Sequence, residues 1–205
     1  MNKNSAIIIV DMLYDFIDGT LACLNADQAV ENAARFISAN QSHSWGKAPV
    51  LFIRDCHPAD HCSFAAMGGS WPEHCVEGTH GAEIHEKLQE FVNEDLVFFK
   101  GRDRDCEQYS GAQGLNPAGQ SLLDVLDIMD CKDVYVCGIA TEFCVKNTVE
   151  DLLKGGLNVY IVEKCLAYVN EEGHKKAIKE MEEDGAKILC CLLYTSPSPR
   201  DYAAS

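Results

Sequence analysis

The segment RDCHPADHCSF, Arg54 to Phe64, brings Asp55, His57, His61, Cys56 and Cys62 into one short stretch. Asp55 and His57 stand two positions apart, so in extended chain they face the same way. His61 lies four residues further on, and His74 follows in WPEHC. An aspartate with two histidines is a common ligand set for zinc, manganese or iron, leaving positions open for water or substrate. The thiols of Cys56, Cys62 and Cys75 offer a softer zinc site as an alternative, although C-x5-C is not the spacing of a zinc ribbon. His43, His80, His85 and His174 read as solvated loop residues.

Three further residues could do nucleophilic chemistry. Cys144, in GIATEFC, opens a helical segment. The partial positive charge of a helix N-terminus favours thiolate, which is the nucleophile, and the backbone N–H groups there could hold an oxyanion. Most of the eleven cysteines read more simply as small core residues. Asp11, at the end of AIIIVD, could take the thiol proton and hand it to a leaving amine; its plainer reading is a helix cap in DMLYDF. Lys100, at the end of LVFFK, could hold an aspartate–cysteine pair in register. On its own it reads as a solvated lysine at a strand end.

The elements that must position these residues are short apolar runs. They occur at 5–11, 49–55, 95–101, 133–139, 158–164 and 186–191, rich in Val, Ile, Phe and Tyr and without polar alternation. That pattern suits buried parallel strands. Helices are expected over 26–41, over 116–130 with Asn116 as N-cap and Pro117 in the first position, over 141–155, and from Asn170 to just before Gly185. Alternating strands and helices imply right-handed crossovers and an α/β fold: a single-domain, doubly wound, mainly parallel six-stranded sheet with helices on both faces. Ligands bind such sheets beyond the carboxyl ends of the strands. Asp11, Asp55, Lys100 and Cys144 all fall on that rim. The long segment 56–94, with Pro, Gly and His and little periodicity, reads as a loop that is either functional or disordered.

The chain of 205 residues is enough for one domain, expected over 1–189. Its last residues, CCLLYTSPSPRDYAAS over 190–205, read as an artefactual or disordered tail, since Ser-Pro-Ser-Pro continues neither strand nor helix. A net charge of −15 repels phosphate backbones and anionic lipid, so neither nucleic acid nor membrane is an expected partner. No apolar run approaches the roughly 20 residues that span a bilayer. The first residues lack the pattern of a signal peptide, so a cytoplasmic protein with reduced cysteines is expected.

Taken in order, five motifs resemble one family over about residues 6–189. IIIVDMLYDFIDGTLA, RDCHPADHCSF, WPEHCVEGTHGAEIH, FFKGRD and VCGIATEFCVKNTVEDLLKGG are similar to the motifs of the nicotinamidases, within the isochorismatase-like cysteine hydrolases. The resemblance implies a triad of Asp11, Lys100 and Cys144. It implies Asp55, His57 and His74 as ligands of one divalent ion, zinc foremost and manganese or iron otherwise, with His61 nearby as a fourth. It implies a cis peptide at Ile139–Ala140, with the N–H groups of Ala140 and Cys144 as oxyanion hole. Phe16, Trp71 and Tyr109, with Ile139 and Ala140, would enclose a substrate ring whose pyridine nitrogen meets the metal. Cys56 stands where the family commonly has an aromatic residue, and YSGAQG after Tyr109 lacks the usual phenylalanine; both bear on pocket shape.

The expected function is therefore hydrolysis of nicotinamide to nicotinate and ammonia through a cysteine thioacyl intermediate, in NAD salvage. The nearest rival is a related cysteine amidohydrolase acting on another small amide or carbamoyl compound. A rival from another class is a non-catalytic small-molecule or metal-binding module. The family contains monomers and larger assemblies, so a homo-oligomer is compatible with the resemblance.

Overall fold

The computed structural model describes residues 4–41 and 47–190. Its strands are β1 (Ser5–Val10), β2 (Val50–Asp55), β3 (Val97–Lys100), β4 (Asp133–Gly138), β5 (Asn158–Leu166) and β6 (Lys187–Leu189). Its helices are α1 (Tyr14–Ile17), α2 (Ala26–Gln41), α3 (Leu122–Ile128), α4 (Lys146–Lys154) and α5 (Glu171–Glu183). The strands form one sheet in the order β3-β2-β1-β4-β5-β6, with every neighbouring pair parallel. The mainly parallel six-stranded sheet expected from the sequence is thus wholly parallel.

Burial on both sides explains the unbroken apolar runs. All six residues of β1 are buried. Ile7 and Ile9 pack on one side with Phe36 and Ile37 of α2. Ala6, Ile8 and Val10 pack on the other with Leu126 of α3, Val149 and Leu152 of α4, and Met181 of α5. Each face of the sheet is therefore covered, and polar alternation would have put a polar side chain into one of the two cores.

β1 pairs with β2 on one side and with β4 on the other. The connections leave it in opposite directions, which opens a crevice beyond the carboxyl ends of β1 and β4. The segment from β2 to β3 lies over this end as a series of short 3-10 turns.

One helix starts later than the sequence indicates. Asn116 Oδ1 accepts the N–H groups of Ala118 at 3.1 Å and Gln120 at 2.8 Å, which closes a local turn. The helix begins instead at Leu122, where Ser121 and Asp124 form a capping box. Asparagine side chains compete with helix in this way, and the Asn-Pro pair here serves the turn. Of the tail expected over 190–205, all but Cys190 lies outside the described residues, as does His43. Among the described residues, no helix is long and apolar enough to cross a membrane.

Candidate active site

Four strand ends supply the reactive groups. Asp11 follows β1 with φ +49°, Asp55 ends β2, Lys100 ends β3, and Cys144 lies in the π-helical turn Thr141–Val145 between β4 and α4. Asp55 and Lys100 are register partners across β2 and β3. The Lys100 ammonium is fully buried. Its Nζ lies 2.9 Å from Asp11 Oδ2, donates to Asp55 Oδ1, and lies 3.5 Å from Cys144 Sγ. Asp11 Oδ1 also accepts the N–H of Asp55 at 2.9 Å. Ligand atoms of Asp11, Asp55 and Cys144 lie within 4.8 Å of one another. The aspartate, lysine and cysteine read separately from the sequence are one cluster.

Burial and charge set the protonation states. Burial alone would push the Lys100 ammonium down, but Asp11, Asp55 and Cys144 outweigh it and hold it well above its ordinary range. Burial pushes the Asp11 carboxyl up to about 6, against the pull of Lys100 and with added push from Asp55. Asp55 goes the other way: burial raises it, but Lys100 and His57 together hold it below the usual carboxylate range. Burial also pushes the Cys144 thiol well up, with Lys100 opposing and Asp11 and Asp55 adding to the rise. This corrects the expectation of a resting thiolate at a helix end. The thiol is held in its protonated form, with the Asp11 carboxylate beside it.

Asp55, His57 and His74 place one ligand atom each within 4.8 Å of the others, all buried. His57 Nδ1 lies 3.0 Å from the carbonyl of Gly101, and His74 Nδ1 lies 2.7 Å from the carbonyl of Pro72. Both rings are thereby held with Nδ1–H donating, which leaves Nε2 as the atom that could meet a cation. Gly101, at φ +71°, makes room for this: a Cβ there would stand 2.4 Å from the His57 ring. Burial pushes His74 down, toward the neutral form that coordinates. His57 goes up despite burial because the Asp55 carboxylate lies beside its Nε2; a divalent ion held there would replace that proton. These donors fit a divalent metal ion. His61 does not join them: its Nδ1 lies 2.7 Å from Ser63 Oγ and its Nε2 3.2 Å from the carbonyl of Cys106. Its ring packs against that of His57 with centroids 4.2 Å apart. Among the described residues, Cys56, Cys62 and Cys75 form no ligand cluster.

A cleft opens over Cys144 and Asp55. Phe16, Trp71, Tyr109 and Ala140 line it, as the resemblance implies. Trp71 Nε1 donates to Tyr109 Oη at 3.0 Å, which locks the two rings together. Ile139 is fully buried in the core and does not reach the cleft wall; it contributes through the Ile139–Ala140 peptide, which is cis. Sequence reasoning missed Phe143, which meets Trp71 edge-on at 5.0 Å, and Leu21, Cys23, Glu107 and Val169, which complete the wall. The place of Phe143 beside Cys144 was the available signal. The others come from loops whose approach the sequence does not encode.

An aspartate–lysine–cysteine cluster beside an Asp/His/His set, at the switch point of a parallel sheet, defines a class. The isochorismatase domain family matches residues 5–191, and the chain belongs to it. A nicotinamidase/pyrazinamidase of Mycobacterium tuberculosis is 34% identical over 188 residues, covering 90% of this chain and 98% of that one. The crystal structure of the pyrazinamidase of Pyrococcus horikoshii in complex with zinc is similar with a TM-score of 0.80 and 35% identity, covering 91% and 98% of the two chains. PnC1 from L. infantum, in complex with nicotinate, is similar with a TM-score of 0.75 and 30% identity, covering 91% and 92%.

Proposed function

We propose that this protein is an amidohydrolase that converts nicotinamide to nicotinate and ammonia, so returning the pyridine ring to NAD salvage. The observation that carries this reading is Cys144 at the floor of an aromatic cleft, within reach of an Asp11 carboxylate that the buried Lys100 holds in place. The ring lies against Phe16, Trp71, Tyr109 and Phe143, with its carboxamide carbon over Cys144. Asp55, His57 and His74 would hold one divalent ion, zinc in our reading, which when bound offers an electron-pair acceptor to a pyridine nitrogen.

Asp11 takes the thiol proton and the thiolate attacks the carboxamide carbon. The N–H groups of Ala140 and Cys144 receive the tetrahedral oxyanion. Lys100 keeps the carboxylate, the thiol and Asp55 in register as charge moves. The protonated Asp11 then gives its proton to the departing nitrogen, and ammonia leaves. A water that loses its proton to Asp11 attacks the thioester, and nicotinate is released as Cys144 recovers its proton.

The test is ammonia release from nicotinamide by the parent chain and by Cys144→Ala, each with and without added zinc or manganese. Activity in the parent that is lost in the variant supports the reaction and the nucleophile. A folded, metal-loaded parent without activity on nicotinamide, but active on another small amide, would overturn the substrate.

A further inference from the structure

Asp15 belongs to none of the groups described so far, yet it lies between two of them. It sits in α1, next to the cleft residue Phe16, and is half-buried. Its Oδ2 accepts the N–H of Cys75 at 2.7 Å, and its Oδ1 accepts the N–H of Thr20 at 3.2 Å. Cys75 directly follows the ligand His74 and has φ +47°, a left-handed conformation that non-glycine residues adopt only when their surroundings hold them there. The carbonyl of Cys75 accepts the N–H of His57 at 3.0 Å. One backbone residue is thus bonded to His74 through the chain and to His57 through a hydrogen bond, and its own N–H is fixed by Asp15.

The surroundings of the carboxylate are built closely around it. Gly81 packs so near that a Cβ on it would stand 2.0 Å from Asp15 Oδ2. The N–H of Tyr14 donates to the carbonyl of Glu83 at 3.2 Å, and Leu13 bridges to Ile84, so α1 is docked on the loop beyond the two histidines.

We propose that Asp15 is the positioning residue of the metal centre, fixing the Cys75 backbone that carries His74 and anchors His57. The inference rests on the reading of Asp55, His57 and His74 as ligands of a divalent ion. An outer partner that orients a ligand raises affinity by holding the donor atoms in place before the ion arrives. A carboxylate suits the task because two backbone N–H groups converge on it and need two acceptor oxygens. Asparagine has only one, and would set an N–H against the second donor.

The experiment measures zinc affinity of the full chain by competition with a chromogenic chelator, for the parent, Asp15→Asn, Gly81→Ala and His74→Ala. Gly81→Ala leaves the charge in place and pushes the carboxylate off the loop. Val149→Ala, in the core on the far side of the sheet, serves as a variant that destabilises the fold without touching the loop. Asp15→Asn and Gly81→Ala are expected to weaken zinc binding by about 10–100-fold, the usual effect of losing such a partner, while Val149→Ala binds zinc as the parent does. If Asp15→Asn does not fold, Gly81→Ala decides the matter alone. Parental affinity in folded Asp15→Asn and Gly81→Ala overturns the role of Asp15, as does an equal loss in Val149→Ala. A parent that binds neither zinc nor manganese overturns the metal centre itself, and the inference with it.

Discussion

Lys100 is a cation without access to water, and two carboxylates are what make that tolerable. Replacing it by methionine keeps the bulk but leaves Asp11 without its cation and Asp55 with only His57 beside it. Breaking a buried ion cluster by removing one partner costs about 3–5 kcal/mol, so Lys100→Met should lower the unfolding free energy measured in urea by about that much and lose activity together. Asp11 gives a second expectation. With its carboxyl pushed up to about 6, it is protonated below that pH and cannot accept the Cys144 proton. The kcat/KM profile should therefore fall on the acid side of about pH 6, and Asp11→Asn should remove both the limb and the activity. A profile flat to pH 5 would show that another group is the base. That Asp11, Lys100 and Cys144 would meet on one rim was legible in the sequence because each ends or follows an apolar run. The resting state of Cys144 was not. A helix end argues for thiolate, but full burial beside two carboxylates argues more strongly against it, and burial is a property of the assembled sheet.

The elements around the site are joined by side chains that the mechanism does not consume. Glu142, two residues before Cys144, accepts the N–H groups of Val169 at 3.0 Å and Asn170 at 2.8 Å, where the chain enters α5. Val169 is part of the cleft wall. Glu142→Ala should let that corner drift, raising KM for the amide several-fold while leaving kcat close to the parent's, the pattern of lost ground-state binding. A fall in kcat at unchanged KM would place Glu142 in the chemistry instead. Element order and type were legible because period and caps are local signals; Asn170 caps α5 as its sequence indicates. The start of α3 was not, because Asn116 found acceptable bonds in a turn before the helix could use it. The path of residues 56–94 was equally hidden. It is fixed by contacts such as Asp15 to Cys75, 60 positions apart, which no local pattern announces.

At the scale of the whole molecule, the charge of −15 is spread over a surface whose compact form it opposes. Salt screens such repulsion, with a Debye length of about 10 Å at 0.1 M and 3 Å at 1 M. The thermal midpoint should rise between low salt and 0.5 M sodium chloride, and a gain of about 1 kcal/mol would appear as ~2–4 °C in a chain of this length. A falling midpoint would mean that attractive surface pairs outweigh the net repulsion. The strand order carries a different consequence. β1 is made first but stays half-paired until β4, more than a hundred residues later, closes its second edge. Asp11 and Cys144 come together only through that pairing of β1 with β4. Recovery of catalysis after dilution from denaturant should therefore trail the return of helical signal, and turnover would time the moment at which the first strand finds its distant neighbour.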